Sequence, residues 1–351
     1  GRMAMWLYRF FWKKIHFPDD ACLWYFPACR KVKTLLKAQP FDAVVSVSLP
    51  FTGHLVGWHA KNLAPALRWL ADIGDPFTIQ PKPPNNDFLY GRISKRLERA
   101  VLEKADTVAV TNTGAVRAYR EQFGEVAEKL RVVPPAWRQA ISPKSLEHWA
   151  LNSKMSNVQC SISNVQVHLG FFGALYAPTR TPDVFLGLLQ KTYSTRPDLF
   201  GRLYAHFYGD VFPEFFEKLT NTPGVVLHGL CSRADAEAAM QQMNILVNIG
   251  NTTDYQLPSK VVDYLAVGKP VLHLSYVERD PFLDFWGDVP ELLALRVRDG
   301  RIADEDIPRW LAFLEATHPE PTAAERLERV RNFMVSAVAE QYERIVMSDE
   351  R

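Results

Sequence analysis

Short, unbroken apolar runs alternate with helical stretches along most of this chain, and that alternation limits its fold more than any other feature. The runs read as strands at Phe41 to Ser48, Leu67 to Ile73, Thr107 to Thr111 and Leu130 to Val133. After a gap they resume at Val167 to Phe172, Leu203 to Tyr208, Gly224 to His228, Ile245 to Ile249 and Pro270 to Leu274. Helical patterns fill the intervals, among them Thr52 to Leu63, Tyr90 to Lys104, Thr113 to Phe123, Thr181 to Lys191, Pro213 to Leu219, Arg233 to Gln242 and Ser259 to Val267. Strands apolar on both faces need cover on both, and strands joined through helices run parallel. The polar Pro135 to Gln166 stretch, rich in Ser and Asn, reads as a linker between the two series. The expectation is an α/β protein of two parallel-sheet domains, 1–150 and 151–325, facing a cleft. An amphipathic helix, read over Ala323 to Met347, closes the chain.

Ligands of such sheets sit beyond the carboxyl ends of the strands, so the chemistry is expected there. The segment L-P-S-K-V-V-D-Y-L-A-V-G-K-P-V-L-H-L, Leu257 to Leu274, holds a helix start, a cation, a carboxylate, a helix stop and a strand. Pro258 suits the first positions of a helix and Ser259 can cap its exposed amides. Gly268 and Pro270 end it. Lys260 in the first turn, beside free amides, makes an anion site suited to a phosphate. Asp263, one turn on, can accept hydrogen bonds from sugar hydroxyls. At an earlier strand end, Gly173 opens a loop that reaches Arg180, whose guanidinium can fork two hydrogen bonds onto a phosphate.

The Leu257 to Leu272 segment resembles the donor-site segment of GT-B glycosyltransferases, nearest glycosyltransferase family 4 of the bacterial envelope and exopolysaccharide type. Pro258, Ser259, Lys260, Tyr264, Leu265, Ala266, Gly268, Lys269 and Pro270 match, while Asp263 stands for the usual glutamate and Tyr255 for a second one. The resemblance implies two Rossmann-like domains and transfer of a sugar, with retention, from a nucleotide-diphosphate donor to a glycan or lipid-linked acceptor. It implies that Gly173, Arg180, Ser259 and Lys260 hold the diphosphate and Asp263 the ribose, with no metal. It also sets His228 and Gly229, at the end of a strand, beside the base. A non-catalytic nucleotide-binding partner protein and a GT-B nucleotide-sugar epimerase are the alternatives.

The amino-terminal half supplies the acceptor side in this reading. S-V-S-L-P-F-T-G-H-L-V-G, Ser46 to Gly57, resembles a family segment through Pro50, His54, Leu55 and Gly57. His54 is expected in the first turn of a helix, near the ligand. W-L-A-D-I-G-D-P-F, Trp69 to Phe77, resembles a strand end in which Asp72 and Asp75 orient or deprotonate an acceptor hydroxyl. Asp75 before Pro76 also reads as an ordinary turn. The resemblance further implies an opening strand and glycine-rich loop, and neither is found before Phe41. The amino-terminal domain is therefore expected to be either incomplete on its acceptor side or divergent in its opening.

Composition excludes other classes. A net charge of +2 over 351 residues makes no case for nucleic acid. Cys22, Cys29, Cys160 and Cys231 lack metal-type spacing and suit reduced thiols of a cytoplasmic protein. No G-x-G-x-x-G follows a strand, so no dinucleotide cofactor is expected. Asp304-Glu305-Asp306 opens a helix, where the dipole favours acidic residues, and no metal is expected there. The opening M-A-M-W-L-Y-R-F-F-W-K-K-I-H-F mixes aromatics with Arg9, Lys13 and Lys14. It reads as a packed helix, with peripheral contact at the inner membrane face as the second reading.

Overall fold

The computed structural model describes residues 15–81, 83–137, 166–258, 260–287 and 289–347. Ser259, the aromatic and basic opening up to residue 14, and nearly all of the expected linker lie outside them. Two compact units form, 1–134 together with 336–351, and 135–335.

The first unit carries a parallel sheet of β1 (Ala43–Ser48), β2 (Arg68–Ile73), β3 (Thr107–Val110) and β4 (Leu130–Val132), in that order. Helix α1 (Tyr25–Ala38) precedes it, and α2 (Thr52–Leu63), α3 (Asp87–Lys104) and α4 (Thr113–Phe123) connect the strands. Asn112 caps α4 by accepting from the Ala115 amide. α2 stops at Ala64, where the backbone leaves the helical region for φ −134° and ψ 83° ahead of Pro65. Gly57 lets α2 lie directly on the sheet, since a Cβ there would meet the Trp69 indole nitrogen at 2.5 Å and the Ser46 side chain at 2.9 Å. Phe51 and Phe77 stack at 4.0 Å in the core beneath. On the opposite sheet face, Val338 of the terminal helix packs with Leu70, Ala109 and Val133.

The second unit holds a larger sheet in the order β11-β10-β9-β8-β5-β6-β7. Its strands are β5 (Val167–Phe172), β6 (Leu203–Tyr208), β7 (Val225–Gly229), β8 (Ile245–Ile249), β9 (Val271–Ser275), β10 (Leu292–Arg298) and the short β11 (Arg301–Ile302). All pair in parallel except β11. One face is covered by α5 (Asp183–Thr195), α6 (Pro213–Thr220) and α10 (Ile307–Glu315), around Phe185, Phe207 and Trp310. The other is covered by α7 (Arg233–Gln242), α8 (Val261–Val267), α9 (Pro281–Trp286) and α11 (Ala323–Val330). Such two-sided cover is what the unbroken apolar runs require.

One expectation is corrected here. The closing helix is not continuous: α11 ends at Val330, a 3-10 turn spans Arg331–Phe333, and α12 (Val335–Met347) follows. Extended backbone at Met334 breaks it, where the chain pairs with Trp137 and the Trp137 amide bonds the Phe333 carbonyl at 2.6 Å. α11 thus belongs to the second unit and α12 to the first. No helix among the described residues is long and apolar enough to cross a membrane.

Candidate functional site

Strand order in the second unit reverses at β5, whose neighbours are β6 and β8. Connections leave β5 toward one face and β8 toward the other, which opens a crevice at their carboxyl ends. Gly173 follows β5 there. Its loop is laced to the one after β6: the Gly173 amide bonds the Tyr208 carbonyl at 2.9 Å and the Leu175 amide bonds that of Asp210 at 2.9 Å. The contact demands glycine at 209, where φ is +131° and a Cβ would lie 2.1 Å from the Gly173 carbonyl oxygen.

Arg180 returns over this loop. Its backbone pairs both ways with Tyr176 at 2.9 Å, and its Nη2 donates to Asn251 Oδ1 at 2.7 Å. Asn251 follows β8 and is itself held, its Nδ2 donating to the Gln256 carbonyl at 3.1 Å. Arg180 Nε is sealed from solvent and has no partner. Burial lowers the Arg180 pKa, although a guanidinium stays charged. The crevice therefore contains a fixed positive group with donor capacity left over.

α8 supplies the rest. Lys260 stands at its N-cap and Gly268, left-handed at φ 71°, at its C-cap. Asp263 is buried and bonded twice, to Arg233 Nη2 at 2.8 Å and to Lys260 Nζ at 3.3 Å. Next to it, the fully buried Tyr264 hydroxyl donates to the Val247 carbonyl at 3.1 Å and accepts from the Phe172 amide at 3.2 Å. That tyrosine ties α8 to the ends of both β5 and β8, and burial raises its pKa. Gly173, Arg180, Lys260 and Asp263 thus share one end of one sheet.

Gly229 ends β7 with φ +69° and open space around it. His228 beside it is exposed and stacks on Tyr208 at 4.0 Å. It closes a chain of imidazoles: His228 Nε2 bonds His206 Nδ1 at 2.9 Å, and His206 Nε2 bonds His168 Nδ1 at 2.9 Å. Burial lowers the pKa of all three, and the two flanking rings help bring His206 to about 4. Such a chain is neutral near pH 7.

Sequence reasoning missed Arg233 and Asn251. Arg233 had a legible signal: it opens α7 directly after its cap Ser232, where the helix dipole disfavours a cation. Asn251 had none, since its partner lies in another loop.

The three acceptor-side residues do not form a cluster in the first unit. His54 is fully buried: its Nδ1 pairs with Ser46 Oγ at 2.8 Å, while Nε2 has no partner. Asp72 points to the other sheet face, as strand alternation dictates, and accepts from the Tyr342 hydroxyl at 2.8 Å. Burial raises the Asp72 pKa. Asp75, in the loop after β2, is exposed.

Residues 6–136 match the model of the glycosyl transferase 4-like domain. No curated protein matches the sequence. Among solved structures, Anabaena HepE in complex with UDP and glucose is similar at TM-score 0.61 and 15% identity, covering 96% of this chain and 84% of that one. OtsA without ligand aligns at TM-score 0.66 and 12% identity, over 99% and 83% of the two chains. Sucrose-phosphate synthase of Thermosynechococcus elongatus aligns at TM-score 0.61 and 15% identity, over 90% and 76%. Residues 6–136 thus resemble a glycosyl transferase 4-like domain, and the chain as a whole shares the two-sheet α/β fold of these glycosyltransferases.

Proposed function

We propose that the second unit binds a nucleotide-diphosphate sugar and that the chain transfers the sugar to a glycan or lipid-linked acceptor, with retention and without a metal. The observation that carries this reading is Arg180, held by Asn251 at 2.7 Å beside Gly173, with an unsatisfied Nε. In this reading its free donors meet the diphosphate. Lys260 turns from Asp263 to the same group, leaving Asp263 to Arg233 and the ribose. As the glycosidic bond breaks, negative charge grows on the departing diphosphate. Arg180 and Lys260 together stabilise that charge, the role a divalent metal plays elsewhere.

Asp75, exposed after β2, is the acceptor-side carboxylate of this reading. His54 and Asp72 are engaged within the first unit and shape it. HepE was solved with UDP and glucose, so the uridine donor is the first to try. His228 and Gly229 lie at the strand end proposed for the base.

Calorimetric titration with UDP, GDP and ADP tests the reading. One nucleotide is expected to bind, and Lys260→Ala to weaken it roughly tenfold to 100-fold, the range for one hydrogen bond to a charged group. Transfer should continue at an unchanged rate in EDTA. Failure of all three nucleotides to bind would remove the donor site. Binding with no turnover of any sugar donor would favour the non-catalytic alternative.

A further inference from the structure

Helix α3 turns an outward face to solvent that no packing among the described residues explains. Its inward side carries the buried Ser94, Glu98, Val101 and Leu102. At helical spacing, Phe88, Leu89, Arg92, Ile93, Lys95 and Arg96 fall on the opposite arc. Phe88 is 96% exposed, Leu89 52% and Ile93 50%.

No described residue pairs with the cations interleaved with them. Arg92, Lys95 and Arg96 are exposed and form no ion pair with any described residue. The acidic residues of the helix form no ion pair with them, the exposed Asp87 of its first turn included. Glu98 is buried, where it accepts from Tyr119 and the Phe77 and Thr78 amides. Glu103 faces Arg99 at 3.6 Å, one turn further along. At the head of the helix, the Tyr90 hydroxyl donates to the Ile15 carbonyl at 3.0 Å, which sets the 56% exposed Ile15 beside the same end.

Exposed aliphatic and aromatic side chains among unpaired cations match one kind of surface. Apolar tips enter the acyl boundary of a bilayer while guanidinium and ammonium groups remain at the phosphates. A nucleic acid would use the cations, yet it has no use for Leu89 and Ile93. We propose that α3 docks the amino-terminal unit onto an anionic lipid surface. The inference does not rest on sugar transfer or on the donor site.

Flotation of the full chain with vesicles tests it, using phosphatidylcholine alone or with one-third phosphatidylglycerol. Wild type is expected to float with the anionic vesicles only, and to be released at 0.5 M salt. The triple variant Arg92→Gln, Lys95→Gln, Arg96→Gln should bind on the order of 100-fold more weakly, about fivefold for each cation. The double variant Phe88→Ser, Leu89→Ser should also lose binding at low salt, while both melt as wild type does. Equal flotation with neutral vesicles, or unchanged flotation of both variants, would overturn the proposal. So would binding to a duplex DNA that is tighter than to vesicles and indifferent to the Phe88 and Leu89 changes.

Discussion

Arg180→Met should lower kcat/KM for sugar transfer about 100-fold to 1000-fold and leave the carboxyl-terminal unit as stable as before, or more so. The two halves of that result have one cause. The guanidinium is partly desolvated, its pKa is pushed down by burial, and Nε has no partner. Its described side-chain bond is to the neutral amide of Asn251. A charge kept like this is a burden on the fold, and replacing it with an apolar side chain of similar length relieves the burden. Methionine keeps the stem that lies along the loop. The expected gain is up to about 1 kcal/mol, roughly 2–4 °C in melting temperature for a domain of this size. A cation whose purpose was structural would show the reverse, a drop of about 3–5 kcal/mol. Arg180→Lys keeps the charge but not the planar fork, so it should recover only part of the rate. Asn251→Ala leaves the charge and frees its orientation, so a smaller loss, about tenfold, is expected. Thermal melts beside steady-state kinetics on each variant decide the matter. A destabilised Arg180→Met with normal turnover would assign Arg180 to the scaffold.

What was legible in the sequence, and what was not, divides along the reach of each interaction. The bounds of α2, α4, α7, β5, β6 and β8 coincide with those read from periodicity and punctuation. Their causes are local: Asn112 capping α4, Ser232 capping α7, and apolar runs with no polar face. β10 was missed because L-L-A-L-R-V-R suits a helix as readily as a strand until its parallel pairing with β9 is known. The Lys260–Asp263 pair was legible because its members are contiguous, one turn apart on α8. Arg233 reaches Asp263 from another helix, so its place at the start of α7 marks it without naming its partner. His54 shows the limit best. Its place in the first turn of α2 was read correctly, but its side chain turns inward to Ser46 of β1 and not toward a ligand. That choice follows from the close seat Gly57 gives the helix, a fact of tertiary packing.

Acidification should weaken the amino-terminal unit through His54, by several kcal/mol in all. Burial lowers its pKa from 6.5 to about 3. The pocket explains why. The Trp69 indole donates to Ser46 Oγ at 2.8 Å, and the same oxygen pairs with His54 Nδ1 at 2.8 Å. Nε2 has no partner, and Phe51 packs edge-on at 5.4 Å. An imidazolium needs two acceptors, and none is available to Nε2. Between pH 6.5 and about 3 the unfolded chain therefore takes up a proton that the folded chain refuses. Stability from this source is complete above pH 6.5 and falls steadily as pH drops through that window. At about 1.4 kcal/mol per pH unit, the loss reaches roughly 2 kcal/mol at pH 5 and ~5 kcal/mol near pH 3. Against the 5–15 kcal/mol that holds a typical domain together, roughly that loss is decisive. Asp72 and Glu98, in the same unit, have pKa values raised by burial and act in the opposite sense, so a single curve mixes the contributions. The difference between wild type and His54→Asn separates them. Asparagine keeps a partner for Ser46 and does not titrate, but its smaller side chain leaves a cavity costing about 1–2 kcal/mol. Urea unfolding at pH 7.5 should find the variant weaker by that amount. The gap should close near pH 5 and reverse below it. A gap that stays constant down to pH 4.5 would show that His54 takes its proton in the folded state, and that its burial sets no acid limit.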